Sequence, residues 1–259
     1  MPLWKREEVQ KMLRKECITH EASRVPVRNK IKNATENKMK ITNEILGEIK
    51  DRAKKYFDGA KGCHDWSHVE RVYNLAVRIA KKEKADLNIV KAAAYLHDIG
   101  RNEEIIGKGK ICHARKGSEL AGKILKGYGL DKETVENIKH CILSHRYRNN
   151  IRPLSIEAKI LFDADKLDSI GAVGVARDFL FAGHSGSNCL YTGREKKLAR
   201  DGKEYGYSKD DSALLEYYVK LKKIKSKILT REGKNIAQAR HNCMVDFFSR
   251  FEKEVRGSA

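Results

Sequence analysis

The stretch Ala92-Ala93-Ala94-Tyr95-Leu96-His97-Asp98-Ile99-Gly100 decides how the chain is read. It is an apolar helical run that ends in a His-Asp pair and is stopped by a glycine. Val90, Ala94 and His97 fall at i, i+4 and i+7, so the imidazole leaves the buried side of the helix. An imidazole and a carboxylate on a buried helix end need a partner, because an unpaired buried charge is costly. A divalent metal ion satisfies both. Taken alone the dipeptide favours a plainer reading, a capped helix end with a hydrogen-bonded core histidine, and the remaining His and Asp residues decide between the two.

Three more histidines are expected at the inner ends of helices. Ser67 with Glu70 three residues on forms a capping box that puts His68 at the first helical position. His68, Val72, Leu75 and Ile79 then share a face, and His64 lies in the preceding turn. Asp86 is the expected cap of a helix over 87–99, followed by a Gly- and Lys-rich loop, 101–110. His113, Gly117, Leu120 and Ile124 form the inner face of the next helix. Asp131 caps another, on which Val135, Ile138, Ile142 and His145 align. A long helical run is expected over 156–181, with Leu161, Asp165, Asp168, Ala172 and Val175 on one stripe. Two carboxylates on an otherwise apolar face are the second anomaly. Residues 183–207 read as a Gly-rich loop able to act as a lid, 214–229 as a helix and 236–255 as a last one.

His68, His97, Asp98 and Asp165 therefore come from the inner sides of separate helices. Imidazole and carboxylate donors without sulfur suit Mn, Co, Ni, Fe, Mg or Zn and leave positions for water and substrate. Helical proteins build metal sites in this way, between facing helices.

At these residues the sequence resembles the HD-domain metal-dependent phosphohydrolase superfamily. It carries His68 in Asp-Trp-Ser-His, His97-Asp98 in Leu-His-Asp-Ile-Gly, and Asp165 in Asp-Ala-Asp-Lys-Leu-Asp. Within the superfamily it is similar to the branch of YedJ- and YpgQ-like HD hydrolases. That likeness also covers the His-x-x-x-Gly pattern from His113, the run from Asp163 to Arg177, and the tail from Thr230 to Arg240. The resemblance spans about residues 43–255. It implies an all-α HD-domain helical bundle with a metal site between helices and extra C-terminal helices. It further implies hydrolysis of phosphate esters or anhydrides, with nucleoside triphosphates as substrates in some relatives.

On that basis His68, His97, Asp98 and Asp165 are the expected metal ligands, and His113 and His145 are candidates for a second ion. Asp168 is expected to act as a general base or to orient a ligand, and His113 is a candidate acid for the leaving group. Lys116, Arg146, Lys166, Arg177 and His64 are candidates for substrate contact. The expected activity is nucleoside triphosphate pyrophosphohydrolysis or a related phosphoanhydride hydrolysis. Monophosphatase or phosphodiesterase activity, or a silent nucleotide- or nucleic-acid-binding protein, are the alternatives. A cyclic-dinucleotide phosphodiesterase would need a Gly-Tyr-Pro motif, which Gly127-Tyr128-Gly129 is not. A guanosine tetraphosphate hydrolase usually follows its His-Asp with an acidic pair, whereas Ile99-Gly100-Arg101 stands here.

Composition fits this reading. The chain has 259 residues, 41% hydrophobic and 34% charged, with only 3 Pro, and a formal net charge of +19. That balance favours anionic partners, nucleotides or nucleic acid. None of the 6 Cys forms a Cys-x-x-Cys pair, which excludes a zinc ribbon or thioredoxin-like motif. With no signal-peptide core at the N-terminus and no apolar run of membrane-spanning length, a cytoplasmic location is expected. Residues 1–42 read as a basic N-terminal extension, a candidate for a nucleic-acid or homo-oligomer contact, and residues 43–259 as the HD domain.

Overall fold

The computed structural model describes residues 39–60, 62–107, 110–146, 151–187, 189–202 and 211–258. Most of the basic extension, and any contact it makes, lies outside them. Among the described residues the chain is helical, with one isolated bridge between Met39 and Leu130.

Helices α1 (Asn43–Lys54), α2 (Trp66–Glu83) and α3 (Leu87–Leu96) build the first half of the core. Each starts on a side-chain cap, from Thr42, Asp65 and Asp86, that satisfies amides left free in the first turn. The expected Ser67–Glu70 capping box is not what forms. Asp65 accepts from the His68 amide, Ser67 Oγ donates to Asp65, and Glu70 accepts from the Trp66 indole. A carboxylate two residues upstream outcompetes the hydroxyl for the end of the helix, and His68 falls in its first turn rather than at its first position.

The helix carrying His97 also ends earlier than expected. Helix α3 closes at Leu96, and 97–100 form a turn into α4 (Arg101–Ile106), where a loop was expected. Gly100 explains the turn. A Cβ there would lie 2.5 Å from the His113 carbonyl oxygen and 2.6 Å from the Gly117 nitrogen. The backbone of α5 (His113–Leu125) thus packs directly on the His-Asp turn, a distance only glycine allows.

Helices α6 (Lys132–Ser144) and α7 (Ile156–Asp168) complete the core around the site, capped by Asp131 and Ser155. Ile138, Ile142, Ile160, Leu161 and Leu167 are fully buried, beside Val72, Ile79, Val90 and Leu96. The expected single helix over 156–181 is two. It breaks after Asp168, and α8 (Gly171–His184) begins at a glycine with φ +81°, a backbone that Ala or Leu would resist.

The C-terminal elements also depart from the sequence pattern. Helix α9 (Glu195–Asp201) lies inside the stretch expected to be a loop, while 203–207 fall outside the described residues. The expected helix 214–229 is α10 (Ala213–Val219) followed by a 3₁₀ segment, Leu221–Lys227. The last helix, α11 (Arg231–Glu254), starts five residues earlier than its apolar periodicity suggests, because Thr230 caps it. The Asp163 carboxylate of α7 accepts from the Leu229 and Thr230 amides and the Thr230 hydroxyl, at 2.7–2.9 Å. One carboxylate thereby ties the C-terminal helix to the helix that carries Asp165. No helix of the described residues is long and apolar enough to cross a membrane.

Candidate metal centre

His68, His97, Asp98 and Asp165 come together in the core. His68 Nε2 lies 3.3 Å from His97 Nε2, 3.5 Å from Asp165 Oδ1 and 3.7 Å from Asp98 Oδ2. His97 Nε2 lies 3.9 Å from the same Asp98 oxygen. Donors bound to one ion at about 2.1 Å sit roughly 3.0–3.5 Å apart, so little closure would bring these onto a shared cation. A second group meets on the other Asp98 oxygen. His113 Nε2 and His145 Nε2 are each 3.5 Å from Asp98 Oδ1 and 3.3 Å from one another. Asp98 thus stands between a His68–His97–Asp165 group and its own group with His113 and His145, the two sets of donors among the described residues that could each hold an ion.

The outer nitrogens of the rings fix which nitrogen is bare. His97 Nδ1 donates to the Ala94 carbonyl at 2.8 Å and His145 Nδ1 to the Ile142 carbonyl at 2.6 Å. These are carbonyls three residues back, left free where a helix stops, so each histidine is aimed by its own helix end. His68 Nδ1 donates to Asp168 Oδ2 and His113 Nδ1 to Glu104 Oε2, both at 2.8 Å. With every Nδ1 of the four a donor, the rings in their neutral form turn four Nε2 lone pairs inward on two carboxylates. Lone pairs 3.3 Å apart with nothing between them repel, and a cation resolves this. The donor set therefore fits a divalent ion, with carboxylate or carbonyl partners behind each imidazole.

Electrostatics agree. Burial lowers His97 to about 4, which keeps its imidazole neutral and able to ligate near neutral pH. Burial alone would raise Asp98 and Asp165. The Arg101 charge and the neighbouring imidazoles pull Asp98 well below the usual carboxylate range, and Lys166 and His68 do the same for Asp165.

The other expected site residues take varied positions. Asp168 lies on the outer side of the His68 ring, and burial is outweighed by His68, Arg71 and Arg177, which bring it to about 2. Its oxygens accept from Arg71 Nε and Nη2 and, at 2.6 Å, from Arg177 Nη1. Asp168 thus stands behind the His68 ring and orients it, with two arginines on the same carboxylate. Arg177 also donates to the Cys63 carbonyl, and Lys166 is buried against Asp165 and the His145 carbonyl. Both are committed to the scaffold rather than presented to a phosphate, contrary to the expectation for them. Arg146 reaches Glu104 at 2.9 Å on the rim, and Lys116 lies 3.9 Å from Glu119 with a third of its side chain exposed. His64 is half-buried, its Nδ1 3.2 Å from the Cys63 sulfur and its ring 5.8 Å from that of His68.

Three residues escaped the sequence reading. Arg71 binds Asp168, Arg101 grips both Asp98 oxygens at 2.8–2.9 Å, and Glu104 holds His113. The available signal was spacing: Arg71 follows His68 by three, Arg101 follows Asp98 by three, and Glu104 follows Arg101 by three, each one helical turn on.

A family model of the HD domain matches residues 65–170. The chain is also 37% identical over 198 residues to the uncharacterized protein YpgQ of Bacillus subtilis, covering 75% of this chain and 85% of that protein. This chain belongs to the HD-domain family. Its fold matches that of Bacillus subtilis YpgQ in complex with ADP with a TM-score of 0.61 and 31% identity, over 81% of this chain and 94% of that one. It matches a predicted HD superfamily hydrolase from an uncultured Thermotogales bacterium with a TM-score of 0.56 and 30% identity, over 81% and 92%. The matched range contains His68, His97, Asp98 and Asp165, the residues whose donors converge here. The HD domain thus places the chain among hydrolases with a His/Asp cluster able to hold a metal.

Proposed function

We infer that this HD-domain protein is a divalent-metal-dependent phosphohydrolase acting on the phosphoanhydride of nucleotides, with nucleoside triphosphates as its substrates. One observation carries the reading: four imidazoles, each anchored through Nδ1, turn Nε2 toward Asp98 and Asp165 in a buried site. His68, His97, Asp98 and Asp165 would hold one ion, and Asp98, His113 and His145 a second. A bound divalent ion supplies a water ionised near neutral pH and positive charge against a phosphoryl group.

The protein's own charges support a polyanionic substrate. Around the centre, the carboxylates of Asp98, Glu104, Asp165 and Asp168 are each paired with cations drawn from Arg71, Arg101, Arg146, Lys166 and Arg177. The site is thus close to neutral on its own, and the charge of an ion is left over for the substrate's phosphates. Arg146 and Arg101 are a quarter and a fifth exposed at the rim; Arg146 can meet oxygens of the departing phosphates, while Arg101 is held on Asp98 and Glu104. His113 faces the same space, but with its Nδ1 proton given to Glu104 its Nε2 offers a lone pair, so its place there is that of a ligand rather than of an acid. The structure of YpgQ with ADP, a nucleotide carrying a phosphoanhydride, is consistent with this substrate class. The net charge of +19 suits an anionic substrate and leaves room for a nucleic-acid contact through residues 1–42.

The test is a screen of nucleoside tri-, di- and monophosphates with Mn, Co, Ni, Fe, Mg and Zn, on wild type and Asp98→Ala, reading phosphate and pyrophosphate separately. Release of pyrophosphate from triphosphates by wild type, lost in Asp98→Ala, is expected. Turnover confined to monophosphates would reassign the substrate, and no turnover of any phosphate compound would remove the enzyme reading.

A further inference from the structure

We propose that Glu104 is a positioning residue of this centre: one carboxylate that sets the tautomer of His113 and couples the two rim arginines to it. The inference rests on the phosphohydrolase reading for its kinetic consequence and on geometry alone for its structural one.

Glu104 sits on α4, the short helix that follows the His-Asp turn, and its side chain is 13% exposed. Oε2 accepts from His113 Nδ1 at 2.8 Å and from Arg101 Nη1 at 3.1 Å. Oε1 accepts from Arg146 Nη2 at 2.9 Å. These donors come from separate segments: α4 itself, the start of α5, and the chain just after α6. Arg101 extends the link inward, since its Nη2 holds both oxygens of Asp98. Glu104 is therefore the junction through which Asp98, His113 and Arg146 keep their mutual spacing.

His113 needs such a partner more than its neighbours do. His97 and His145 are aimed by carbonyls of their own helices. His113 opens its helix, so no helical carbonyl lies three residues before it to take its Nδ1 proton. Without an acceptor at Nδ1, its proton can move to Nε2. The ring would then present N–H to Asp98 and His145, where an ion needs a lone pair. Asp168 serves His68 in the equivalent way, so the chain places a carboxylate behind each of the two histidines that lie in a first helical turn and a carbonyl behind each that ends a helix.

The experiment compares wild type with Glu104→Ala and Glu104→Gln. Imidazole nitrogen chemical shifts of the metal-free full chain report the tautomer, with the His113 signals assigned by their loss in His113→Gln. Wild type is expected to show His113 protonated at Nδ1 and bare at Nε2, and Glu104→Ala to show a mixture. With metal and triphosphate, kcat of Glu104→Ala is expected to fall on the order of 10- to 100-fold, with KM moving by less. Glu104→Gln keeps an accepting oxygen, so it should recover the tautomer and most of kcat; it also carries the test if the alanine variant does not fold. An unchanged His113 tautomer in Glu104→Ala, or a glutamine variant no better than the alanine one, would overturn the proposal. If wild type hydrolyses no phosphoanhydride, the functional reading falls while the tautomer measurement still decides the role of Glu104.

Discussion

His68 and Asp168, one hundred residues apart in the chain, meet at 2.8 Å between Nδ1 and Oδ2 in the buried core. Arg71 and Arg177 close on the same carboxylate. Asp168→Asn keeps the shape but loses a charge that both guanidiniums and the imidazole are built around. Metal affinity is expected to fall on the order of 10- to 100-fold, by titration calorimetry with Mn²⁺. Asp168→Ala, which leaves two buried or half-buried arginines without their partner, is expected to lower stability by about 3–5 kcal/mol in urea unfolding.

The metal-free protein is expected to lose stability in mild acid through His97. Burial holds its folded value at about 4, below the ordinary 6.5. The unfolded chain binds the proton more readily, so the contribution is full above pH 6.5 and is lost as pH falls from there to about 4. A displacement of that size corresponds to on the order of 3 kcal/mol. His68 is displaced upward and opposes the trend. The measurement is therefore a difference: urea unfolding at pH 7.5 and 5.0 of wild type and His97→Gln, with wild type showing the steeper loss.

Removal of metal is expected to lower the melting temperature, because an ion that binds the folded state alone stabilises it by mass action, about 2.7 kcal/mol at a hundred times Kd. Melting curves after chelator treatment and after addition of Mn²⁺ should differ in wild type and coincide in Asp98→Ala.

The tie between Asp163 and the start of α11 gives a prediction away from the chemistry. Thr230→Ala removes the cap and one of three donors to Asp163. It should cost about 1–2 kcal/mol of stability in urea unfolding, with metal affinity unchanged.

Much of the centre was readable because helical periodicity places a residue on a face. His68, His97, His113 and His145 each fell on an inner stripe, and each is buried. What periodicity cannot show is which partner wins a local competition. Asp65 took the helix end from Ser67, and Gly171 broke a run whose apolar pattern continues through it. Nor does it show what stands behind a ligand. The stripe brought Asp165 and Asp168 to the same side of α7, yet one points into the centre and the other to the back of His68, and the arginines that settle this come from α2 and α8. Arg177 looked free because its carboxylate partner lies on another helix, and Lys166 because the His145 carbonyl that it also reaches is met only once the helices pack.

The most direct measurement is anomalous diffraction from crystals of the protein grown with Mn²⁺. A peak within about 2.3 Å of donor atoms of His68, His97, Asp98 and Asp165, absent from Asp98→Ala crystals, is the expected result. A fully loaded crystal with its ion elsewhere, or with none among these four residues, would contradict the account.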